Sequence, residues 1–162
     1  MTNPNIYLFG DSGTGTRSFF SYIIHDVTTN KYAPDSILMS QTLFNNNNAT
    51  LIRFPPNYNM AEIYKFSTMD GNIHLFIMFS MDSISSLNNV KTYITEASQK
   101  LPNAIIYIIA NKSELVNPPV TQTLIDQEKK IWPTISPQTL TSSVLNYYAI
   151  SIVNNNVNIP LH

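Results

Sequence analysis

The stretch that most constrains this chain is Ile6-Tyr7-Leu8-Phe9-Gly10-Asp11-Ser12-Gly13-Thr14-Gly15-Thr16-Arg17-Ser18. An apolar run closed by glycine reads as a buried strand. From Ser18 to Thr28 the spacing of Phe19, Tyr22, Ile23 and Val27 predicts a helix with one apolar face. The whole chain holds four glycines, and three of them, Gly10, Gly13 and Gly15, fall in the loop between this strand and this helix. Such clustering signals backbone at positive φ, or close approach to another group. A helix N-terminus is a natural seat for phosphate, so a phosphate cradle is one reading. An empty turn of the same shape is the other.

Composition narrows the class. Only 12% of the 162 residues are charged, about half the usual share. Polarity comes instead from Asn, Ser and Thr, with an Asn run at Asn45 to Asn48 and another at Asn154 to Asn156. The formal net charge of −1 argues against nucleic acid or an anionic membrane as an electrostatic partner. No cysteine is present, which excludes disulfides, thiolate metal sites and lipidated cysteine. His25, His74 and His162 have no metal-ligand spacing and read as lone core or surface residues. Met1 leads straight into the first strand, and no apolar run is long enough to span a bilayer, so a cytoplasmic protein without a membrane anchor is expected.

Further along, Ser36 to Phe44 and Thr50 to Phe54 read as an antiparallel pair turned at Asn45 to Asn48. Pro55-Pro56-Asn57-Tyr58-Asn59 is loop, and Met60 to Thr68 is weakly helical. Ile73 to Ser80 is nearly continuous apolar, as expected of a central parallel strand. Ser83 to Lys100 is an amphipathic helix through Ile84, Leu87, Val90, Ile94 and Ala97. Ala104 to Ala110 is a second buried strand, Thr121 to Trp132 and Pro137 to Tyr147 are two further helices, and Tyr148 to Ile152 is a last strand. Trp132, Tyr147 and Tyr148 read as packing residues. Strands alternating with helices predict one α/β domain over 1–162, with about six mostly parallel strands and helices on both faces.

Gly10 and Gly15 stand at the spacing of the two glycines in the phosphate loop G-x-x-x-x-G-K-[ST]. Tyr32-Ala33-Pro34-Asp35 looks like Tyr-x-Pro-Thr, Asn111-Lys112-Ser113-Glu114 resembles the base-reading Asn-Lys-x-Asp, and Ala149-Ile150-Ser151 resembles Thr-Ser-Ala. In this order, over almost the whole chain, these motifs are similar to those of Ras-superfamily small GTPases. The resemblance implies a P-loop, Ras-like fold. It implies a phosphate site over Gly10, Asp11, Ser12, Gly13, Thr14, Gly15, Thr16, Arg17 and Ser18. It implies a base site at Asn111, Lys112, Glu114, Ser151 and Ile152, and switch-like positions at Tyr32, Pro34, Asp35, Phe54, Pro55, Pro56, Asn57 and Tyr58. The long interval from Glu114 to Ser151 leaves room for the extra helix of Rho-type members, matched by Asn117 to Trp132. The family's long final helix is missing here, because 157–162 is too short to form it.

The departures from the family pattern are systematic. The phosphate-loop lysine is Thr16, and the Mg²⁺-binding hydroxyl is Arg17. The switch I threonine is Asp35, Asp-x-x-Gly has become Phe54-Pro55-Pro56-Asn57, and the water-positioning glutamine aligns with Tyr58. Phosphoryl transfer depends on positioned cations, so no catalytic residue, no metal ligand set and no hydrolysis are expected. Arg17 and Asp35 face one ion in the family, so the resemblance leaves two readings, an ion pair between them or two independent surface residues. The function implied is a degenerate small GTPase without cofactor, serving as a non-hydrolysing subunit of a protein assembly. The alternative is a protein that holds GTP or GDP, Arg17 replacing metal, without turning it over. With no final helix, an apolar sheet face near Phe20, Ile24 and the last strand is expected to take a stable protein partner.

Overall fold

A computed structural model describes residues 3–25, 33–66 and 72–162. Its centre is a six-stranded mixed sheet in the order β2-β3-β1-β4-β5-β8. The strands are β1 (Asn5–Gly10), β2 (Leu38–Phe44), β3 (Asn47–Arg53), β4 (Ile73–Ser80), β5 (Ile105–Asn111) and β8 (Tyr147–Ala149). Only β2 runs antiparallel to its neighbour; β3, β1, β4, β5 and β8 are parallel. The α/β class, the dominant parallel pairing and the flanking helices agree with the sequence reading.

The pleat sorts each central strand onto two cores. Tyr7 and Phe9 join Ile77, Phe79, Ile106 and Ile108 beneath α2 (Ile84–Lys100) and α3 (Gln122–Ile135). Ile6 and Leu8 join Phe76, Met78, Tyr107 and Ile109 on the face covered by α1 (Thr16–Ile24). Every residue of β1 and β4 is buried, as expected of near-continuous apolar strands with helices on both sides. Ser83 and Thr121 cap α2 and α3, each accepting from a backbone N–H in the first turn.

Several expectations need correction. The first helix starts at Thr16, not Ser18, with Gly15 as its N-cap; its expected end falls at 26–32, outside the described residues. The turn between β2 and β3 is Asn45-Asn46 alone, both at positive φ, so Asn47 and Asn48 belong to β3. Residues 60–65 form a 3-10 turn. The last strand ends at Ala149.

The helix expected over Pro137 to Tyr147 is not there. A 3-10 turn (Pro137–Thr139) leads into a small hairpin of β6 (Leu140–Thr141) and β7 (Val144–Leu145), turned by Ser142 and Ser143 at positive φ. Asn146 fixes it, donating from Nδ2 to Thr141 Oγ1 (2.9 Å) and to Ile106 O (3.3 Å). The interval between Glu114 and Ser151 therefore holds one α-helix, α3, within the segment matched to the Rho-type insert, and the second helix expected there is replaced by the hairpin.

The sheet face by α1 is not left bare either. Residues 152–162 contain no helix, yet they lie across it: Ile159 is fully buried, and Ile152, Val157 and Leu161 pack on the same cluster as Ile23 and Ile24. The segment is pinned by Tyr22 to Asn155, by Asn45 Nδ2 donating to Ile159 O (3.0 Å) and by His162 N–H donating to Tyr107 Oη (2.9 Å). Phe20 is likewise buried. The patch expected to need a partner is closed by the chain itself.

Candidate functional site

The loops at the C-terminal ends of the parallel strands meet on one edge of the sheet, where ligands of open α/β sheets ordinarily bind. The first is the glycine loop after β1. Thr14 closes it, N–H and hydroxyl both donating to Asp11 O (3.2 and 2.8 Å). A Cβ on Gly10 would stand 2.6 Å from Thr14 Oγ1 and 2.7 Å from Met78 O, so close approach fixes that glycine. Gly15 sits at φ 96°, and a Cβ there would meet Asn111 Nδ2 at 2.3 Å. Of the sequence reading, positive φ or close approach, Gly10 shows close approach alone, Gly13 positive φ alone and Gly15 both.

Gly15 caps α1 without a side chain, and the first turn carries no acidic residue, so the helix start has no built-in anion. Asp11 does not supply one. Its carboxylate turns to α2, accepting from Asn89 Nδ2 (2.5 Å) and the Tyr93 hydroxyl (3.0 Å). Burial and then the Asp11 charge push the Tyr93 pKa well above its usual value, so the phenol stays a donor.

The decisive side chain is one that sequence reasoning missed. Arg53, the last residue of β3, is 3% exposed. Its Nε donates to Thr16 Oγ1 (2.9 Å), and its Nη1 donates to Pro34 O (2.9 Å) and Ser36 O (2.8 Å). The guanidinium thus ties the start of α1 to the segment at 34–36. Burial, then the nearby Arg17 charge, lower its pKa to about 10, opposed by Asp35; it remains a cation at neutral pH. An ion pair between Arg17 and Asp35 is not among those of the described residues, and the cation that feels Asp35 is Arg53. A lone charge within the apolar stretch Leu51–Phe54 was the available signal.

A cavity of about 260 Å³ remains, lined by Ser12, Gly13, Arg17, Arg53, Pro56 and Lys112 among others. That is smaller than the roughly 300–1,000 Å³ usual for small-molecule sites. Ser18 is exposed at its lip.

The residues expected to read a base do come together. Asn111 Nδ2 donates to Thr14 O (2.9 Å) while its Oδ1 accepts from Lys112 N–H (2.8 Å), so the side chain ties β5 to the glycine loop. Lys112 Nζ pairs with Asp82 (2.8 Å) and reaches Gly13 O (3.4 Å). That bond, with a second from Ser80, holds the Asp82 carboxyl below its usual pKa. Glu114 Oε1 accepts from Ser151 Oγ (2.7 Å), whose oxygen accepts from Asn154 N–H (3.1 Å); Ile152 follows, partly buried. Each polar group of this set is already engaged by another part of the chain.

The switch-like positions divide. Tyr32 lies outside the described residues, and Pro34 and Asp35 are exposed. Phe54 is fully buried, stacked on Phe9 (4.9 Å between centroids) and flanked by Tyr7, Tyr58 and Phe66. Pro55 and Pro56 follow it directly, with Asn57 at φ 66°. An aromatic cluster ending in two prolines makes 54–58 a stiff corner.

Among the described residues no group of three or more His, Asp or Glu side chains is set to hold a metal ion, and no helix is long and apolar enough to cross a membrane. No protein-family model matches the chain, and no curated protein matches it.

Proposed function

We propose that this chain is a small-GTPase-like domain of the Ras-superfamily kind in which the wall of the phosphate site is tied together by its own arginine. In this reading it works as a non-hydrolysing subunit of a cytoplasmic protein assembly. The observation that carries the reading is the Arg53 guanidinium, bonded to Thr16 and to the carbonyls of Pro34 and Ser36. Phosphoryl transfer needs cations and donors left free to meet the γ-phosphate. Here the hydroxyl at the lysine position accepts from Arg53, and the segment matching switch I is bound to the same guanidinium. Any second state of this segment must first give up the bonds from Arg53 to Pro34 O and Ser36 O, which weighs the equilibrium against a nucleotide-driven switch. The stiff corner at 54–58 then serves as a constant docking surface for a protein partner.

The second reading, guanine-nucleotide binding without hydrolysis, is favoured by one observation: Asn111, Lys112, Glu114 and Ser151 gather beside the glycine loop. One experiment separates the two. The purified protein is denatured, its supernatant is resolved by ion exchange, and guanine nucleotide is counted per chain; melting is then followed with GTP or GDP, with and without Mg²⁺. A ligand at a hundredfold excess over Kd stabilises by about 2.7 kcal/mol, about 5–10 °C for a domain of this size. An empty protein whose Tm ignores both nucleotides is expected. Near-stoichiometric nucleotide, or a shift of that size, overturns the proposal in favour of the second reading.

A further inference from the structure

Of the sheet's two edges, β2, Leu-Met-Ser-Gln-Thr-Leu-Phe over Leu38–Phe44, is the longer, and among the described residues no strand pairs with its outer side. It contains no charge and no proline, the two devices that most often keep edge strands from pairing. Met39 is 52% and Leu43 62% exposed, and Gln41 lies exposed between them on the same face. The backbone points outward at these same residues. In a hairpin closed by two residues, the flanking pair Phe44 and Asn47 exchanges hydrogen bonds. The alternation then assigns inward bonding to Thr42, Ser40 and Leu38, and leaves the N–H and C=O of Met39, Gln41 and Leu43 directed off the edge. Consistent with that, Gln41 O accepts only a side-chain bond, from Ser40 Oγ (3.2 Å), among the described residues.

We propose that β2 pairs with β2 of a second copy of this chain, antiparallel about a two-fold axis at Gln41, joining two six-stranded sheets into one. The strand is self-complementary about that axis. Gln41, whose Oε1 accepts from Thr50 Oγ1 (3.1 Å) and whose Nε2 is left to donate, meets Gln41 of the second copy, and Met39 meets Leu43 of the second copy twice over. The three outward residues are those that a two-fold at Gln41 places in hydrogen-bonded pairs, giving about six backbone bonds. On the other side of the pleat Ser40 meets Thr42, again without charge. A net charge of −1 per chain sets almost no repulsion against the pairing. An edge contact of this length buries about 400–500 Å² per copy, close to the roughly 1,000 Å² total that a specific interface must clear. The dimer is therefore one that dissociates on dilution.

This inference does not rest on the nucleotide reading and is tested apart from it. Sedimentation equilibrium across a dilution series is expected to show mass rising from 18.3 kDa towards twice that value. Met39→Lys with Leu43→Lys, at two exposed positions, is expected to weaken the dimer at least about tenfold while leaving the thermal melt unchanged. The absence of cysteine permits a positional test with Gln41→Cys. Hydrogen-bonded antiparallel partners have Cα atoms about 5.5 Å apart, within disulfide range. Mild oxidation should cross-link Gln41→Cys into dimers far faster than Val153→Cys, which is 82% exposed and outside the sheet. A chain that stays monomeric at every concentration, a dimer indifferent to the double lysine variant, or equal cross-linking of the two cysteine variants overturns the proposal.

Discussion

Acid should unfold this protein through one buried imidazole. His74, in β4, is 3% exposed on the α1 side of the sheet, and its Nδ1 stands 2.8 Å from Tyr107 Oη. That phenol oxygen also accepts the His162 N–H (2.9 Å), and it meets Nδ1 as donor or acceptor according to the imidazole tautomer. Burial, and secondarily the nearby His162, lower the His74 pKa from 6.5 to about 4. The folded-state value is the lower one. Above pH 6.5 neither state binds the proton, and His74 contributes no pH dependence. Between 6.5 and 4 the unfolded chain binds it and the folded chain does not, so stability falls with pH by about 1.4 kcal/mol per unit, reaching about 3 kcal/mol at pH 4. Against a total of about 5–15 kcal/mol that is a large share. The assay is urea unfolding at intervals from pH 7 to 4, followed by fluorescence of Trp132, the sole tryptophan, which is fully buried in the opposite core. His74→Asn keeps an acceptor near the Nδ1 position and removes the titration, and carboxylates titrate alike in both proteins. The difference between them is therefore expected to grow to about 3 kcal/mol in favour of the variant on acidification. Parallel loss of stability in the two proteins would refute the argument.

Two further perturbations probe the site. Arg53→Met keeps much of the apolar stem and strips the donors from Thr16 Oγ1, Pro34 O and Ser36 O, at an expected cost of about 2–4 kcal/mol, measured by denaturant unfolding. Asn111→Ala removes the tether to Thr14 O and should cost about 2–3 kcal/mol. Because a Cβ on Gly15 collides with Asn111 Nδ2, Gly15→Ala should be less damaging in the Asn111→Ala background, with a coupling of about 1 kcal/mol or more in a double-mutant cycle.

How much of this was legible in the sequence differs by residue, for physical reasons. Ile73–Ser80 declared itself because a strand buried on both faces must be apolar at every position, and β4 has the expected boundaries. The glycine loop was legible because positive φ and a close backbone contact restrict residue choice. Residues 137–147 were not. Leu140, Val144, Leu145 and Tyr147 form short apolar runs that suit a helix or a strand equally, and the hairpin is selected by Asn146 reaching Ile106 O on β5, a contact no local pattern encodes. Arg53 was hidden differently. The substituted positions Thr16, Arg17 and Asp35 lie in the motifs themselves, whereas the cation that bonds Thr16 comes from the end of β3, far from it along the chain. The closing segment was partly legible: Val157, Ile159 and Leu161 alternate at a spacing of two, an extended strip that can cover a sheet face without helix.

The two polar assemblies of this protein sit at opposite ends of the sheet, and that separates their failures. His74 pairs in register with Ile105, the first residue of β5, whereas Asn111 and Ser80 pair at the far end of the same two strands. Protonating His74 puts a buried charge beside the Tyr107 hydroxyl that holds 162 against the sheet; it touches no group that lines the glycine-loop cavity. Removing Arg53 does the reverse, freeing Thr16 and the carbonyls at 34 and 36 while leaving the histidine bond whole. With no shared partner and a strand length between them, the two effects should add within about 0.5 kcal/mol. Additivity then means that the arginine closes the loop edge locally. A coupling well above that value would instead mean that β1 and β4 carry strain between the ends, making the closed loop and the covered sheet face one cooperative device.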